Sequence, residues 1–311
     1  MSIRVVLEQM IMIALLIAMG FTAYKRGVIG DKAGAVISAL VANITNPCLM
    51  ISSMLGSDER VSGRLLLLGM FGAVVTYALL IMLAELLPRL AKTPKGERYC
   101  YFMLMLFGNT GFIGIPLASA VLGAKSLVYV CFHNLIFSFL IYTVGVSRIR
   151  NAAQDKGIEI EEGSNIKGMI NTGTISAVLA LILYIAGLNL PHILMLTIDY
   201  AGKSTTFLSM TVLGMAVAKM HPGRIIRNYR LIALSLLRLT VIPIVMIYIL
   251  KLFIHDDLII YTSALMLAVP AGNMPLILAT KQGLEAETIC DGIVLSTVLS
   301  IITIPIVTLF V

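Results

Sequence analysis

The sequence predicts an all-α polytopic membrane protein with little chain outside the lipid. Of its 311 residues, 59% are hydrophobic and only 13% are charged, and the mean hydropathy is +0.98. A soluble domain of this length needs far more charge to cover its surface. Apolar stretches of the roughly 20 residues that cross a bilayer recur along the whole chain. The longest polar stretch is 148–167, which leaves no room for a separate soluble domain.

Ten segments have the length and composition of membrane spans. The first carries Glu8 and lacks a basic stretch before its apolar core, so we interpret it as a retained span and not as a signal peptide. The predicted spans are 5–24, 31–54, 65–88, 100–122, 125–147, 169–189, 204–220, 230–252, 259–282 and 286–310.

Basic residues are concentrated in alternate loops. If the N-terminus is outside, the inner loops hold most of the Lys and Arg, as the positive-inside rule predicts for a protein with both termini outside. The formal net charge of +7 then reflects topology, and we predict a multi-pass protein of the cell (inner or plasma) membrane with no nucleic-acid partner. These inner residues are Lys25, Arg26, Lys32, Arg89, Lys92, Lys95, Arg98, Arg148, Arg150, Lys156, Lys167, Lys219, Arg224, Arg227, Arg230 and Lys281.

The polar stretch separates two sets of five spans. We predict a first five-helix repeat over 1–150, a cytoplasmic linker over 151–167 and a second five-helix repeat over 168–311. Because five is odd, a duplicated five-helix unit lies in the membrane upside down relative to its partner. This inverted-repeat arrangement is common in secondary transporters.

The fourth span of each half carries matching helix-breaking residues. Residues 108–117 read GNTGFIGIPL, and residues 269–276 read VPAGNMPL. Proline removes a backbone donor, and glycine lets the chain leave helical geometry. In lipid such a break survives only where protein or a water-filled cavity covers the freed backbone groups. Two breaks in corresponding positions therefore predict a transport site.

Each predicted break offers two kinds of ligand. The half-helix that begins near Pro116 or Pro275 presents free N–H groups and the positive end of its dipole, which suit a carboxylate. The half-helix before the break ends in unpaired carbonyls, which suit a cation or a donor. Asn109, Thr110 and Asn273 add neutral donors and acceptors at the same depth. We predict a site for a small anion here.

Five motifs, spread over nearly the whole chain, together resemble one family. They are NITNPCL at 43–49, GNTGFIGIPL at 108–117, LGMAVA at 213–218, PAGNMP at 270–275 and LSTVLS at 295–300. In these motifs the chain is similar to the auxin efflux carrier family, which includes bacterial malate and malonate permeases and is related to plant PIN-type auxin carriers.

The resemblance implies two inverted five-helix repeats whose broken helices four and nine cross at the midplane. It also implies a scaffold of spans one, two, six and seven beside a mobile crossover domain, and a homodimer that carries organic anions by an elevator-like motion. Carried over residue by residue, Asn109 with Pro116 and Pro270 with Pro275 form the crossover, with Asn273 beside it. Plant members have a long hydrophilic central loop, so the short loop here places the chain with bacterial members.

Two further residues have competing interpretations. Arg238, inside span eight, is either a counter-ion for an anionic substrate, or a side chain that reaches the inner interface or pairs with a carbonyl. Asn46 either contacts substrate from the scaffold or hydrogen-bonds between helices. The complete predicted substrate-binding set is Asn46, Asn109, Thr110, Pro116, Arg238, Pro270, Gly272, Asn273 and Pro275.

No cofactor, metal site or enzymatic activity is predicted. The four cysteines and four histidines are scattered without metal-ligand spacing, and common catalytic motifs are missing. We interpret His133 with Asn134 as a satisfied core pair. Ser296, with its neighbours on span ten, either packs or binds ligand, and Asp291 is the candidate for proton or cation coupling.

The leading hypothesis is a secondary transporter that moves small organic anions, such as malate, malonate or auxin-like acids, across the membrane by alternating access. Its coupling ion is a proton, sodium or none. The alternatives are a sodium-coupled symporter of the bile-acid transporter type, and a membrane receptor that binds an organic anion without moving it.

Overall fold

A computed structural model describes residues 3–56, 61–158, 172–188, 190–219 and 222–310. In this part of the chain every regular element is helical, and β-type pairing is confined to one isolated bridge. The first half contains α1 (Ile3–Lys25), α2 (Ala33–Leu40), α3 (Asn46–Leu55), α4 (Gly63–Leu90), α5 (Arg98–Leu106), α6 (Ile115–Leu122), α7 (Ser126–Leu140) and α8 (Val146–Asp155). The second half contains α9 (Thr172–Ala186), α10 (His192–Ala218), α11 (Pro222–Arg227), α12 (Tyr229–Leu236), α13 (Ile242–Lys251), α14 (Asp257–Ala268), α15 (Met274–Lys281) and α16 (Glu287–Thr308).

Short π-helical turns join several of these helices into longer rods. They connect α2 to α3, α7 to α8 and α12 to α13, and a fourth precedes α6. A single 3₁₀ turn, Lys95–Glu97, precedes α5. The four π-helical turns are Val41–Thr45, Thr110–Gly114, Ile141–Gly145 and Leu237–Val241.

Six described helical segments are long and apolar enough to cross a membrane. Three shorter apolar helices accompany them, at Thr110–Leu122, Thr172–Ala186 and Asp257–Ala268. The predicted all-α polytopic membrane fold is thereby confirmed. The six long segments are Leu7–Lys25, Ala33–Leu55, Gly63–Leu90, Ser126–Asp155, Tyr229–Lys251 and Glu287–Thr308.

Two predicted boundaries are wrong. The seventh span is predicted to begin at 204, but α10 begins at His192, because the polar stretch with the Asp199–Lys203 ion pair (2.6 Å, one helical turn apart) lies within the helix and does not interrupt it. The fifth span continues past 147 as α8. Within the predicted linker, residues 159–167, including Lys167, lie outside the described residues, as do 168–171 and 189 of the second repeat.

One group of helices packs through small residues. In this four-span group, formed by α1, α2–α3, α9 and α10, α1 lies along α10 and α3 contacts both α9 and α10. A Cβ atom at Gly214 would lie 2.3 Å from the Ile17 carbonyl oxygen, and one at Gly20 would lie 2.5 Å from that of Thr211. Only glycine permits such close backbone contact, a common device where no hydrophobic effect drives helices together.

The remaining spans form a second group, the six-span group, in which related contacts occur in both halves. Helix α4 packs on α5 in the first half, and α13 packs on α14 in the second. Helix α7 contacts α14, and α16 contacts α5. The two broken spans therefore lie inside this group, each held by a helix from the other half.

An ion pair connects the loop between α1 and α2 to the end of α10. The Lys219 ammonium lies 2.7 Å from the Asp31 carboxylate, which also accepts a 2.7 Å hydrogen bond from the Tyr24 hydroxyl. These hydrogen bonds, that of Lys219 first, lower the pKa of Asp31. The loop between α1 and α2 is thereby attached to the end of α10.

Candidate substrate site at the helix crossover

The two breaks meet as short extended segments. Gly108 and Ala271 form an antiparallel bridge. The Asn109 N–H donates to the Pro270 carbonyl at 2.7 Å, and the Gly272 N–H donates to the Phe107 carbonyl at 2.9 Å. Buried backbone groups must be paired in lipid, and here each break supplies partners for the other.

Glycine at 108 and at 272 makes this crossing possible. A Cβ atom at Gly272 would lie 3.1 Å from the Gly108 carbonyl oxygen. One at Gly108 would lie 2.5 Å from the Arg238 guanidinium and 3.2 Å from the Val269 side chain. Glycine at these positions therefore leaves room for the close approach of the two segments and of Arg238.

Arg238 joins the ends of the half-helices that enter the crossover. Its side chain is buried, its Nε donates to the Met105 carbonyl at 3.0 Å, and its Nη1 donates to the carbonyls of Leu267 at 3.2 Å and Val269 at 2.5 Å. These carbonyls belong to the C-terminal ends of α5 and α14, the negative ends of both helix dipoles. In this structure Arg238 therefore pairs with backbone carbonyls, which is one of the interpretations offered from the sequence.

Ser296 on α16 supports the second break. Its hydroxyl oxygen accepts a hydrogen bond from the Ala271 N–H at 3.1 Å and donates to the Ile293 carbonyl at 3.0 Å. The Ala271 N–H, freed by the break, is thereby satisfied inside the protein. Ser296, for which packing and ligand binding are the two interpretations from the sequence, therefore stabilises the break itself.

The half-helices that leave the crossover begin with asparagine. After Asn109 the chain is helical from Thr110, and the Asn109 side-chain oxygen accepts a hydrogen bond from the Phe112 N–H at 3.2 Å. Helix α15 begins at Met274, next to Asn273. A start near Pro275 is thus confirmed. The α-helix α6 likewise begins at Ile115, beside Pro116, but a π-helical turn over Thr110–Gly114 precedes it, so the helical segment as a whole starts earlier than Pro116.

A cavity of about 160 Å³ lies between the crossover and the four-span group. Residues of α2, α3 and α9 form one wall, and the crossover with α7 forms the other. Within the described ranges, the lining contains no charged side chain. Its amide and hydroxyl groups belong to Asn46, Asn109, Thr110, Asn134, Ser138 and Asn273, among others.

The cavity brings together part of the predicted set. Asn46, Asn109, Thr110, Gly272 and Asn273 all line it. The Asn46 side-chain oxygen is buried and has no hydrogen-bond partner among the described residues, so it is available to a ligand donor.

The other members of the predicted set are not part of the lining. Pro116 and Pro275 lie at the second residue of α6 and α15, Pro270 pairs with Asn109 through its carbonyl, and Arg238 holds the incoming half-helices. These four residues shape the crossover.

Asn134, interpreted from the sequence as a core residue paired with His133, instead lines the cavity. Its side-chain oxygen accepts a hydrogen bond from the Thr110 hydroxyl at 2.8 Å, and its amide donates to the Val130 carbonyl at 3.2 Å. The core interpretation is correct for the neighbouring His133, which is buried 3.2 Å from the Ser263 hydroxyl. The available signal was spacing: 134, 138 and 141 recur on one helix face, and all three line the cavity.

Asp291, the candidate for ion coupling, lies outside this cavity. Its carboxylate accepts two hydrogen bonds from Arg224 on α11, from Nε at 2.5 Å and from Nη2 at 2.9 Å. Glu287 pairs with the same guanidinium. Hydrogen bonding to Asp291 raises the pKa of Arg224. The geometry is that of an ion pair that attaches α11 to the start of α16.

A helical membrane protein with two broken helices that meet beside a polar cavity has the architecture of a membrane transporter. The chain matches, over residues 5–308, the model of a family described as membrane transport protein, and it belongs to this family. The resemblance stated from the sequence motifs is thereby confirmed.

Two similar proteins come from archaea. An uncharacterized transporter of Methanothermobacter thermautotrophicus is 22% identical over 302 residues, which cover 96% of each chain. An uncharacterized transporter of Methanocaldococcus jannaschii is 22% identical over 314 residues, again with 96% of each chain covered. The similarity therefore extends over the whole fold described above.

Proposed function

We propose that this transporter is a secondary carrier of small organic anions that bind in the crossover cavity. One observation carries the proposal: two helix N-termini meet at one uncharged, amide-lined cavity. Thr110 and Gly111 begin one half-helix, Asn273 and Met274 begin the other, and all four residues line the cavity. Helix N-termini favour anions through their unpaired N–H groups and their dipoles.

The electrostatics of the crossover favours an anion over a cation. The negative ends of the two incoming half-helices are already neutralised by Arg238, whereas the positive ends of the outgoing half-helices face the cavity. Neutral amides then hold a carboxylate without a buried charge that is costly when the site is empty. We infer that transport does not depend on sodium, since Arg238 already bonds the carbonyls that a cation needs.

The size of the cavity favours small acids. A cavity of about 150 Å³ accommodates benzene, and the cavity at the crossover has about 160 Å³. A mono- or dicarboxylate of a few carbon atoms, such as malonate or malate, is of suitable size. A bile acid is not, which argues against the bile-acid alternative.

The helix packing supports two inverted five-helix repeats and an elevator-type mechanism. Equivalent helices make equivalent contacts in the two halves. In the proposed motion the four-span group is the fixed scaffold, and the six-span group slides along it. Asn109 and Asn273 then travel with the substrate while Asn46 stays, so closure and release change the distance between these amides.

We propose that the structure represents an inward-facing state, in which the crossover cavity faces the cytoplasm. Ser38 and Gly173 line the cavity and lie near the first residues of α2 and α9. If both termini are outside, those ends face the cytoplasm. The proposal further includes a homodimer in the cell membrane, as the family resemblance implies.

Proteoliposomes test this function directly. We expect saturable uptake of labelled malonate or malate above that of protein-free liposomes, inhibited by other small carboxylates and unchanged when potassium replaces sodium. Repeating the assay with and without a pH gradient identifies proton coupling. Ligand-dependent thermal stabilisation without any flux would favour the receptor alternative, and neither binding nor flux with any small carboxylate would contradict the proposal.

A further inference from the structure

A second cavity, of about 290 Å³, lies at one end of the six-span group. It is formed by the last turns of α4, the loop that precedes α5, and α8. Among the residues that the structure describes, five basic side chains line it against two acidic ones, Glu85 and Asp155. The basic residues are Arg89, Lys95, Arg98, Arg148 and Lys156.

The positive charge of this cavity is only partly compensated. The Glu85 carboxylate pairs with Arg89 and, at 2.6 Å, with Arg148, so two cations share one anion. The ion pairs found within the described ranges do not involve Lys95, Arg98 or Lys156. An anion that enters the cavity therefore meets donors without displacing an existing ion pair.

Two of the guanidinium groups that line the cavity are held in fixed positions. The Arg148 guanidinium lies 5.0 Å from the centre of the Phe102 ring, and its Nη2 donates a hydrogen bond to the Glu85 carboxylate at 2.6 Å. Arg98 is fixed by a 3.3 Å hydrogen bond from its Nε to the Thr93 carbonyl. Pre-positioned guanidinium groups favour the multidentate recognition of phosphate.

The cavity borders exposed apolar side chains. On α4, Leu86 and Leu90 are 45% and 65% exposed and alternate with Glu85 and Arg89 of the lining. In the predicted topology this end of the bundle faces the cytoplasm. A basic pocket at this depth, next to exposed apolar side chains, is typical of sites for anionic lipid headgroups.

We propose that this cavity binds the phosphoryl headgroup of an anionic phospholipid, with the acyl chains along Leu86 and Leu90. A free phosphate has the same headgroup chemistry but gains nothing from the apolar border. All elements of the cavity belong to the group that moves in the proposed mechanism. Lipid binding itself is independent of that mechanism.

Native mass spectrometry of the purified protein with added lipid tests this site. The wild type is expected to retain phosphatidylglycerol in preference to phosphatidylcholine, and more weakly as salt increases. A Lys95→Gln/Arg98→Gln/Lys156→Gln variant is expected to bind phosphatidylglycerol about 100-fold more weakly, since three headgroup cations are lost.

A charge-matched control separates the cavity from general surface attraction. Lys25→Gln/Arg26→Gln/Lys32→Gln removes the same charge from exposed residues outside the cavity, and it is expected to bind phosphatidylglycerol like the wild type. Equal losses in both variants, or no loss in the cavity variant, would overturn the proposal. So would binding of inorganic phosphate or glycerol phosphate as tight as that of the lipid, because the ligand would then be a free anion.

Discussion

Replacement of Arg238 by methionine is expected to abolish transport and to destabilise the protein by at least about 3 kcal/mol. Methionine fills similar space but leaves the carbonyls of Met105, Leu267 and Val269 without their donor. Each buried acceptor that loses its partner costs about 1–3 kcal/mol. The two negative helix ends also lose their neutralising charge. Thermal unfolding in detergent and uptake in proteoliposomes measure both effects.

Two further substitutions make the Arg238 result specific. Arg238→Lys keeps the charge, but one ammonium cannot reproduce the guanidinium contacts to two helix ends, so an intermediate stability is expected. Arg64→Met removes an exposed cation and is expected to leave the melting temperature and uptake unchanged. An Arg238→Met protein as stable and as active as the wild type would contradict the role of Arg238 at the crossover.

Alanine at Asn109 or Asn273 is expected to reduce the efficiency of transport by about tenfold to 100-fold, as for loss of a hydrogen bond to a charged ligand. Asn273→Ala is the cleaner change, because the Asn273 side chain forms no capping hydrogen bond, whereas that of Asn109 accepts from the Phe112 N–H. Asn109→Ala should therefore also lose about 1 kcal/mol of stability. Concentration-dependent uptake measures the loss of substrate binding, and thermal unfolding measures the loss of stability.

An aspartate at position 109 distinguishes anion binding from helix capping. Asn109→Asp retains a cap acceptor but places a negative charge where the substrate carboxylate is expected, so helix capping should be kept and uptake lost. Asn43→Ala, an exposed asparagine outside the cavity, serves as the control with normal uptake. Normal transport by Asn109→Asp would mean that the transported species is not an anion bound at this asparagine.

The crossover was predictable because broken backbone is so costly in lipid that its residues are conspicuous in sequence. Glycine, proline and asparagine appear together at 108–117 and 269–276, and the structure pairs these two segments directly. The same cost explains why Asn109 and Asn273 could be selected as site residues from the sequence. Their side chains accompany the breaks that form the cavity.

Other parts of the site depend on contacts that are distant in sequence. Arg238 bonds Met105 across 133 positions, so its carbonyl partners could not be chosen from its own span. Asn134 follows His133 in a mostly apolar helix, where a core hydrogen bond is an equally good interpretation. The π-helical turn before Pro116 depends on local packing that periodicity does not express. These three cases are resolved only by tertiary structure.

The central claim is that substrate occupies the cavity between the crossover and the four-span group. Maleimide labelling of Ser138→Cys, in a protein whose four native cysteines are replaced by alanine, tests this most directly, because Ser138 lines that cavity. A transported carboxylate is expected to slow the labelling of Ser138→Cys, and to leave unchanged the labelling of Arg26→Cys, an exposed position outside both cavities. Labelling of Ser138→Cys at the same rate with and without saturating substrate would contradict the claim.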